Sequence, residues 1–215
     1  MAHTFYDKAP TQELLEAYKK NNSFLIPTLC ASATLIGEES ESSEKHVGHQ
    51  LAEKVLDETG KTCFCGRMKI AKEGCKAEFA YETVKMVKRH GLDIIWSVSF
   101  TLLLIPTTPP PINQKLADLV PFSGTDTSTG FVGTAFGLSV HQELSLLTTR
   151  CDLTPGEALR SATATTARRF GLKDRGRLAK GLRADVLMVR GDPTVDIRCT
   201  MDIARIWRGG VALKG

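Results

Sequence analysis

A carboxylate that could do chemistry follows a glycine and a threonine in the triplet Gly124-Thr125-Asp126. The small glycine lets the backbone turn sharply at the end of a parallel strand, so that the Asp126 side chain can face a ligand instead of solvent. The alternative is that Asp126 satisfies local N–H groups in a turn or at a helix cap. The triplet makes Asp126 the first candidate catalytic residue, with a structural role as the competing interpretation.

Helix-start and glycine motifs follow Asp126 in a fixed order. The chain continues with Thr154-Pro155-Gly156-Glu157, a glycine-punctuated stretch at residues 171–187, and Gly191-Asp192-Pro193. This order resembles the C-terminal third of the amidohydrolase superfamily, in particular its imidazolonepropionase-like and metal-dependent prolidase-like members. The resemblance implies an α/β fold that comprises the last strands and helices of a partial (β/α)8 TIM-like barrel, followed by the remnant of a C-terminal β-sandwich domain.

The resemblance also implies two metal ligands. In that family a histidine closes the sixth barrel strand, a helix follows, and the seventh strand ends in a Pro-Thr-Leu segment. His3 matches this histidine, and Pro27-Thr28-Leu29 matches the end of the seventh strand. Asp126 matches the eighth-strand aspartate that binds metal and acts as the general base. We therefore expect a divalent metal, zinc ahead of others, with His3 and Asp126 as its ligands.

Such a site would hydrolyse a carbon–nitrogen bond in a small amide, a cyclic amide or a dipeptide. A divalent metal polarises the carbonyl and lowers the pKa of water from 15.7 to about 7, while a carboxylate beside it shuttles the proton to the leaving nitrogen. His141, in a helix predicted over residues 137–149, could line the pocket and bind substrate, or it could be a helix-surface residue. Glu143 in the same helix is expected on the surface.

The family's remaining ligands have no match in this sequence. A His-x-His pair would be needed on the first strand, and the five histidines are His3, His46, His49, His90 and His141. An open catalytic site needs about three protein ligands. The alternative function is therefore a truncated, catalytically inactive fragment or an interaction module. A nucleotide-binding protein ranks last, because no G-x-G-x-x-G follows a strand and no G-K-[ST] occurs.

Local patterns predict the elements that would position these residues. A capping threonine at Thr11 starts a helix, residues 24–29 read as a short buried strand, residues 30–43 as a loop, and residues 44–58 and 77–90 as helices. His46 and His49 would lie one turn apart, a spacing that can bind metal, although a solvated helix face is the favoured interpretation. Alternation predicts strands at residues 184–189 and 203–207.

Residues 96–122 interrupt the family pattern, because the strand that begins at residues 92–95 should lead directly to the triplet. This segment contains an apolar run that Pro106 ends, and it is shorter than the about 20 residues that cross a membrane. Our hypothesis is that it is a foreign insertion, such as a retained intron translated in frame. The domains are then a partial barrel at residues 1–175 and a β segment of a composite domain at 176–215.

Composition limits the remaining possibilities. The 215 residues are 42% hydrophobic and 24% charged, with a net charge of +4, so one sizeable core is expected and neither nucleic acid nor a membrane is implied as a partner. Six cysteines without a secretory segment predict reduced thiols in a cytoplasmic protein, and Cys63, Cys65 and Cys75 lack a zinc-ribbon spacing. Unpaired edges of a partial barrel would favour oligomers.

Overall fold

The computed structural model describes residues 1–38, 41–95, 132–135 and 137–213. The triplet that contains Asp126 lies outside these described residues, and so does the segment 96–122. Helices and a small sheet make up the described part, so the α/β class is confirmed.

Helices dominate the described residues up to position 169. They are α1 Gln12–Lys20, α2 Leu29–Ile36, α3 Glu41–Val47, α4 Gln50–Val55, α5 Glu58–Cys65, α6 Ala77–Arg89, α7 Leu138–Thr149, α8 Pro155–Arg160 and α9 Thr166–Arg169. A π-helical turn, Ser161–Thr165, joins α8 to α9. The predicted helices at 77–90 and 137–149 are confirmed, and so is the start of α8, where Thr154 and Glu157 form a reciprocal capping box.

Three short extended segments lie side by side and parallel near the start of the chain. Ala2 bridges to Ile26, and Leu25 bridges to Ile94. The predicted strand at 24–29 is therefore limited to two bridging positions, because Thr28 leaves the extended region with a φ of 54° and α2 begins at Leu29. The predicted loop at 30–43 is wrong, since α2 and the beginning of α3 occupy much of it.

One apolar cluster packs these parallel segments against α2, α6 and α7. Its fully buried members include Leu25, Leu29, Ala80, Val84, Val87, Leu147, Cys151 and Ala158. A second cluster around Phe64 and Leu138 joins α5 to the start of α7. Helices α2 and α7 therefore share a continuous core with the segments that carry His3 and Thr28, and this core fixes their relative positions.

A three-stranded antiparallel sheet follows, with the order β1 Val186–Val189, β2 Ile203–Arg208 and β3 Val211–Ala212. The 3-10 helix Ile197–Met201 lies between β1 and β2 and contributes Thr200 to the contact with α7. The predicted strands at 184–189 and 203–207 are confirmed within two residues at each end. In the described residues no helix has the length and apolar character required to cross a membrane, and all six cysteines are free thiols.

Candidate active site

His3 lies at the carboxyl end of the three parallel segments. It directly follows the Ala2 bridge, and its N–H donates to the carbonyl of Ile26 at 2.9 Å. Ile95 leaves the neighbouring segment at the same edge, where its N–H donates to Leu25. Ligand sites in parallel α/β folds form at this kind of edge, and the prediction that His3 binds a ligand there stays a prediction.

The hydrogen bonds around the His3 imidazole favour one tautomer. Its Nδ1 lies 2.9 Å from Oγ1 of Thr28, and the Thr28 hydroxyl donates its single proton to the Pro27 carbonyl at 2.7 Å. Oγ1 of Thr28 must therefore accept from Nδ1–H, which leaves the lone pair on Nε2. No residue in the described ranges forms a hydrogen bond with Nε2, and the side chain is exposed. This is the state of a histidine that binds metal through Nε2.

Glu143 is fully buried, so the expectation of a helix-surface position is wrong. Its Oε1 accepts from the N–H of Leu29 at 2.8 Å, and its Oε2 accepts from the N–H of Cys30 at 3.0 Å. These are the first N–H groups of α2, which have no partner within the helix. Burial raises the pKa of Glu143, and the two backbone donors oppose that shift.

Cys30 lies against the Glu143 carboxylate and is not an activated thiol. Its Sγ donates to the carbonyl of Ser139 at 3.6 Å. Burial, and then the charge of Glu143, raise the pKa of this thiol well above its ordinary value. A thiolate nucleophile needs the opposite shift, so Cys30 acts as a packing residue.

His141 is buried between α7 and the 3-10 helix. Its Nδ1 lies 2.9 Å from Oγ1 of Thr200, whose hydroxyl donates to the Ile197 carbonyl. Burial lowers the pKa of His141 to about 4, with smaller contributions from His46 and His49. The imidazole is therefore neutral at pH 7. Its proposed contact with substrate stays a prediction.

His46 and His49 do not form the solvated pair that the helical spacing suggests. His46 is buried near the end of α3, while His49 is the N-cap of α4 and accepts from the N–H of Leu51. The Nε2 of His49 lies 3.2 Å from the Asp202 carboxylate. The helix predicted across residues 44–58 breaks between the two histidines, and this break separates their surroundings.

Two cavities border this region of the molecule. One cavity has a volume of about 470 Å³. It is lined by Thr4, Phe5, Tyr6 and Asp7, which follow His3 in the chain, and by Ile70, Ala71, Lys72 and Cys75. A larger one of about 690 Å³ lies between α4 and β2 and is lined by His49 and Asp202. Neither lining includes His3 or Thr28, although the residues that directly follow His3 line the smaller cavity.

A metal would find one prepared ligand in the described residues. They contain no group of three or more His, Cys, Asp or Glu side chains that could hold an ion. The state of His3 fits a ligand nevertheless, because Nε2 carries the lone pair and Thr28 orients the ring. Asp126, the second predicted ligand, lies outside the described residues.

Sequence reasoning missed Thr28 and Glu143 as residues of this region. The available signal for Thr28 was its place directly after a proline and before an apolar helix, where threonine is a common cap. Glu143 had no local signal, since its partners Leu29 and Cys30 lie more than 100 residues earlier.

Known proteins share the sequence and fold of parts of this chain. Two imidazolonepropionases match: the one from Deinococcus deserti is 39% identical over 70 residues, and the one from Deinococcus radiodurans is 34% identical over 93 residues. These matches cover 31% and 42% of this chain and only 18% and 23% of those proteins. The chain therefore aligns with less than a quarter of the length of either relative.

The fold is also found in solved structures. The structure of a protein from Bifidobacterium longum assigned as a prolidase superposes with a TM-score of 0.61 at 20% identity, over 100% of this chain and 42% of that one. The amidohydrolase family model matches residues 106–213, which include Asp126 and His141 and make up half of the sequence. The chain belongs to the amidohydrolase family.

Proposed function

We propose that this chain is the C-terminal part of a metal-dependent hydrolase that cleaves carbon–nitrogen bonds in small amides, cyclic amides or dipeptides. The observation that carries the proposal is the His3 imidazole at the carboxyl edge of parallel segments, with its Nε2 lone pair unused by the described residues. Family membership supports the reaction class, and the imidazolonepropionase relatives support the substrate class.

The chain between Asp126 and the described Val132 is long enough for the proposed site to combine Asp126 with His3. The described chain resumes at Val132, whose carbonyl accepts from Oγ1 of Thr34 in α2 at 2.8 Å. Thr34 is six helical residues beyond Thr28, or about 9 Å, and the six residues from Asp126 to Val132 can span up to about 20 Å. This geometry supports a site that combines Asp126 with His3, as the family resemblance implies.

Each residue of the proposed site has a defined role. His3 would donate its Nε2 lone pair to a divalent cation, zinc ahead of others, and the Asp126 carboxylate would be the second ligand. A bound divalent cation supplies a Lewis acid and makes water more acidic. Asp126 then accepts a proton from the attacking water and delivers it to the leaving nitrogen. His141 contacts the substrate as a neutral hydrogen-bonding group.

The same proposal includes the architecture. Residues 1–175 would form the last strands and helices of a (β/α)8 barrel, interrupted by an insertion at 96–122, and residues 176–215 a remnant of a composite β-sandwich. The family match begins at residue 106, inside the proposed insertion. Sequencing of transcripts tests that part, because messages that all contain the codons for residues 96–122 would contradict a retained intron.

The second candidate function is an inactive fragment or interaction module. The described residues hold no cluster of three metal-binding side chains, and the chain covers less than half of the prolidase structure. These two observations favour this alternative for the 215-residue chain alone. Both candidates share the same ancestry and differ in whether this polypeptide binds metal tightly.

Metal content and hydrolysis of the purified 215-residue chain test the proposal. The metal-dependent hydrolase predicts stoichiometric zinc, and hydrolysis of an Xaa-Pro dipeptide or of imidazolonepropionate. The Asp126→Asn variant should lose about 10²-fold or more in kcat, because it lacks the proton-transfer group, and His3→Gln should lose zinc. His90→Gln, which removes an exposed histidine, serves as the matched control. A chain that neither binds zinc nor hydrolyses either compound would favour the inactive fragment.

A further inference from the structure

We propose that Glu143 is a positioning residue for His3 and acts through the first turn of α2 and Thr28. The buried carboxylate holds the start of α2, the start of α2 holds Thr28, and the Thr28 hydroxyl fixes the His3 tautomer. This inference rests on the proposed function, in which Nε2 of His3 binds metal. It assigns a role to a buried carboxylate that the proposed chemistry does not itself use.

The first step is the division of hydrogen bonds at the start of α2. A threonine before a helix ordinarily accepts from the N–H groups of the first turn through its hydroxyl. The Thr28 hydroxyl accepts no such bond. The Glu143 carboxylate accepts instead, with one oxygen bonded to the N–H of Leu29 and the other to the N–H of Cys30. The Thr28 hydroxyl is therefore free to bond to Pro27 and His3.

The second step is the backbone of Thr28. Its φ of 54° and ψ of 46° place it in the left-handed region, which a β-branched residue adopts only when its surroundings enforce it. Glu143 fixes the two peptide groups directly after Thr28, so it restrains this conformation from the C-terminal side. The hydrogen bond from Thr4 Oγ1 to the Pro27 carbonyl restrains it from the other side.

The third step is the effect on the imidazole. With the Thr28 proton committed to Pro27, only the His3 tautomer that carries hydrogen on Nδ1 can bond to Oγ1. That tautomer presents the lone pair on Nε2, at the exposed edge where the metal would bind. Partners of this kind, which fix the ring of a metal-binding histidine, typically change metal affinity by 10–100-fold when they are mutated.

Nitrogen NMR of the histidine rings tests the inference without any metal. The metal-free 215-residue chain, labelled with 15N-histidine, is measured at pH 8, and His3→Gln identifies the His3 signals. We expect His3 to carry its proton on Nδ1 in the wild-type chain and in Thr28→Ser. We expect a mixture of tautomers in Thr28→Ala and in Glu143→Gln, whose amide cannot accept from both N–H groups.

Zinc titration gives a second readout. Thr28→Ala and Glu143→Gln should each weaken zinc binding by about tenfold or more, and the double variant should be no weaker than the worse single one, because both changes act on one chain of contacts. Glu157→Gln is the matched control, since Glu157 also caps a helix start, on α8, without a link to His3. In Glu157→Gln, the His3 tautomer and the zinc affinity should equal those of the wild type.

Distinct outcomes separate the two proposals. If Glu143→Gln does not fold, Glu143→Asp replaces it, because the shorter side chain keeps the charge but withdraws the oxygens from α2. Unchanged His3 tautomer and zinc affinity in a folded Glu143 variant would overturn the positioning role. Zinc binding that is unaffected by His3→Gln would overturn the proposed function. The NMR measurement of the His3 tautomer in the Glu143 variants would still decide the role of Glu143.

Discussion

Threonine hydroxyls hold two histidines of this molecule in the same way. In each case Nδ1 lies 2.9 Å from Oγ1, and the hydroxyl donates to a carbonyl: Thr28 serves His3 and Thr200 serves His141. The two differ in burial, since His3 is exposed and His141 is almost fully enclosed. The same hydrogen-bond arrangement therefore leaves an exposed Nε2 at one position and a buried, pH-sensitive structural contact at the other.

His141 should make the stability of the chain depend on pH. Its pKa is lowered to about 4 by burial, while the unfolded chain protonates it near 6.5. The unfolded state thus binds the proton first, so the contribution of His141 is complete above pH 6.5 and is lost as the pH falls to about 4. The loss is at most about 3 kcal/mol. Urea unfolding at a series of pH values measures it.

The His141→Gln variant should flatten this dependence between pH 4.5 and 6.5. Most aspartates and glutamates have ordinary pKa values below that window. Glu143, whose pKa is raised by burial, is present in both proteins, so the difference between their slopes reports His141. His90→Gln, at an exposed position, should keep the wild-type slope. An equal slope in His141→Gln and the wild type would mean that other groups cause the pH dependence.

At the scale of elements, Asp93 ties the third parallel segment to the C-terminal helix α9. Its two carboxylate oxygens accept from Arg168, at 2.6 Å, and from Arg169. Asp93 and Arg169 are both mostly buried, whereas Arg168 is exposed. Because hydrogen bonds to charged groups in such surroundings are stronger than those in water, this contact helps to keep Ile94 and Ile95 in register with Leu25.

The Asp93→Asn variant should lower the free energy of unfolding by about 1–3 kcal/mol. The amide keeps the shape of the carboxylate but presents one acceptor oxygen to two guanidinium groups. Asp174→Asn is the control, since Asp174 is exposed and pairs with its neighbour in the chain, Arg175. It should change the stability by less than about 0.5 kcal/mol. Similar losses in the two variants would argue against a linking role for Asp93.

Local sequence signals predicted the elements that depend only on their neighbours. The α8 cap lies within four residues, Thr154 to Glu157, and α6 has a regular apolar stripe, so both are confirmed. Helix α2 was missed because Glu143, from another helix, supplies the hydrogen bonds that complete its start. The pairing of Ala2 with Ile26, and of Leu25 with Ile94, likewise depends on contacts that a one-dimensional pattern does not contain.

At the scale of the whole molecule, the C-terminal sheet is incompletely covered by the described residues. Leu187 and Met188 are neighbours in β1, so their side chains point to opposite faces of the sheet, yet they are 48% and 47% exposed. Val211 in β3 is also exposed. Apolar residues exposed on both faces of a sheet with free edges favour association with another chain.

We therefore expect the 215-residue chain to self-associate as its concentration rises, as measured by sedimentation velocity. The double variant Leu187→Lys, Met188→Lys should shift the distribution towards monomer, because lysine at a sheet edge opposes pairing. Leu178→Lys is the control, since Leu178 is 80% exposed outside the sheet. A wild-type chain that stays monomeric at all concentrations would contradict this expectation.

The long-range contact between Glu143 and α2 has a consequence for biosynthesis. The carboxylate that completes the first turn of α2 is encoded 114 residues after Leu29. Residue 143 must leave the ribosome before the N–H groups of Leu29 and Cys30 can bind their native acceptor, so these two hydrogen bonds form only after most of the polypeptide has emerged. The arrangement of Thr28 and His3 therefore arises late in synthesis, and a nascent chain halted before α7 would lack it.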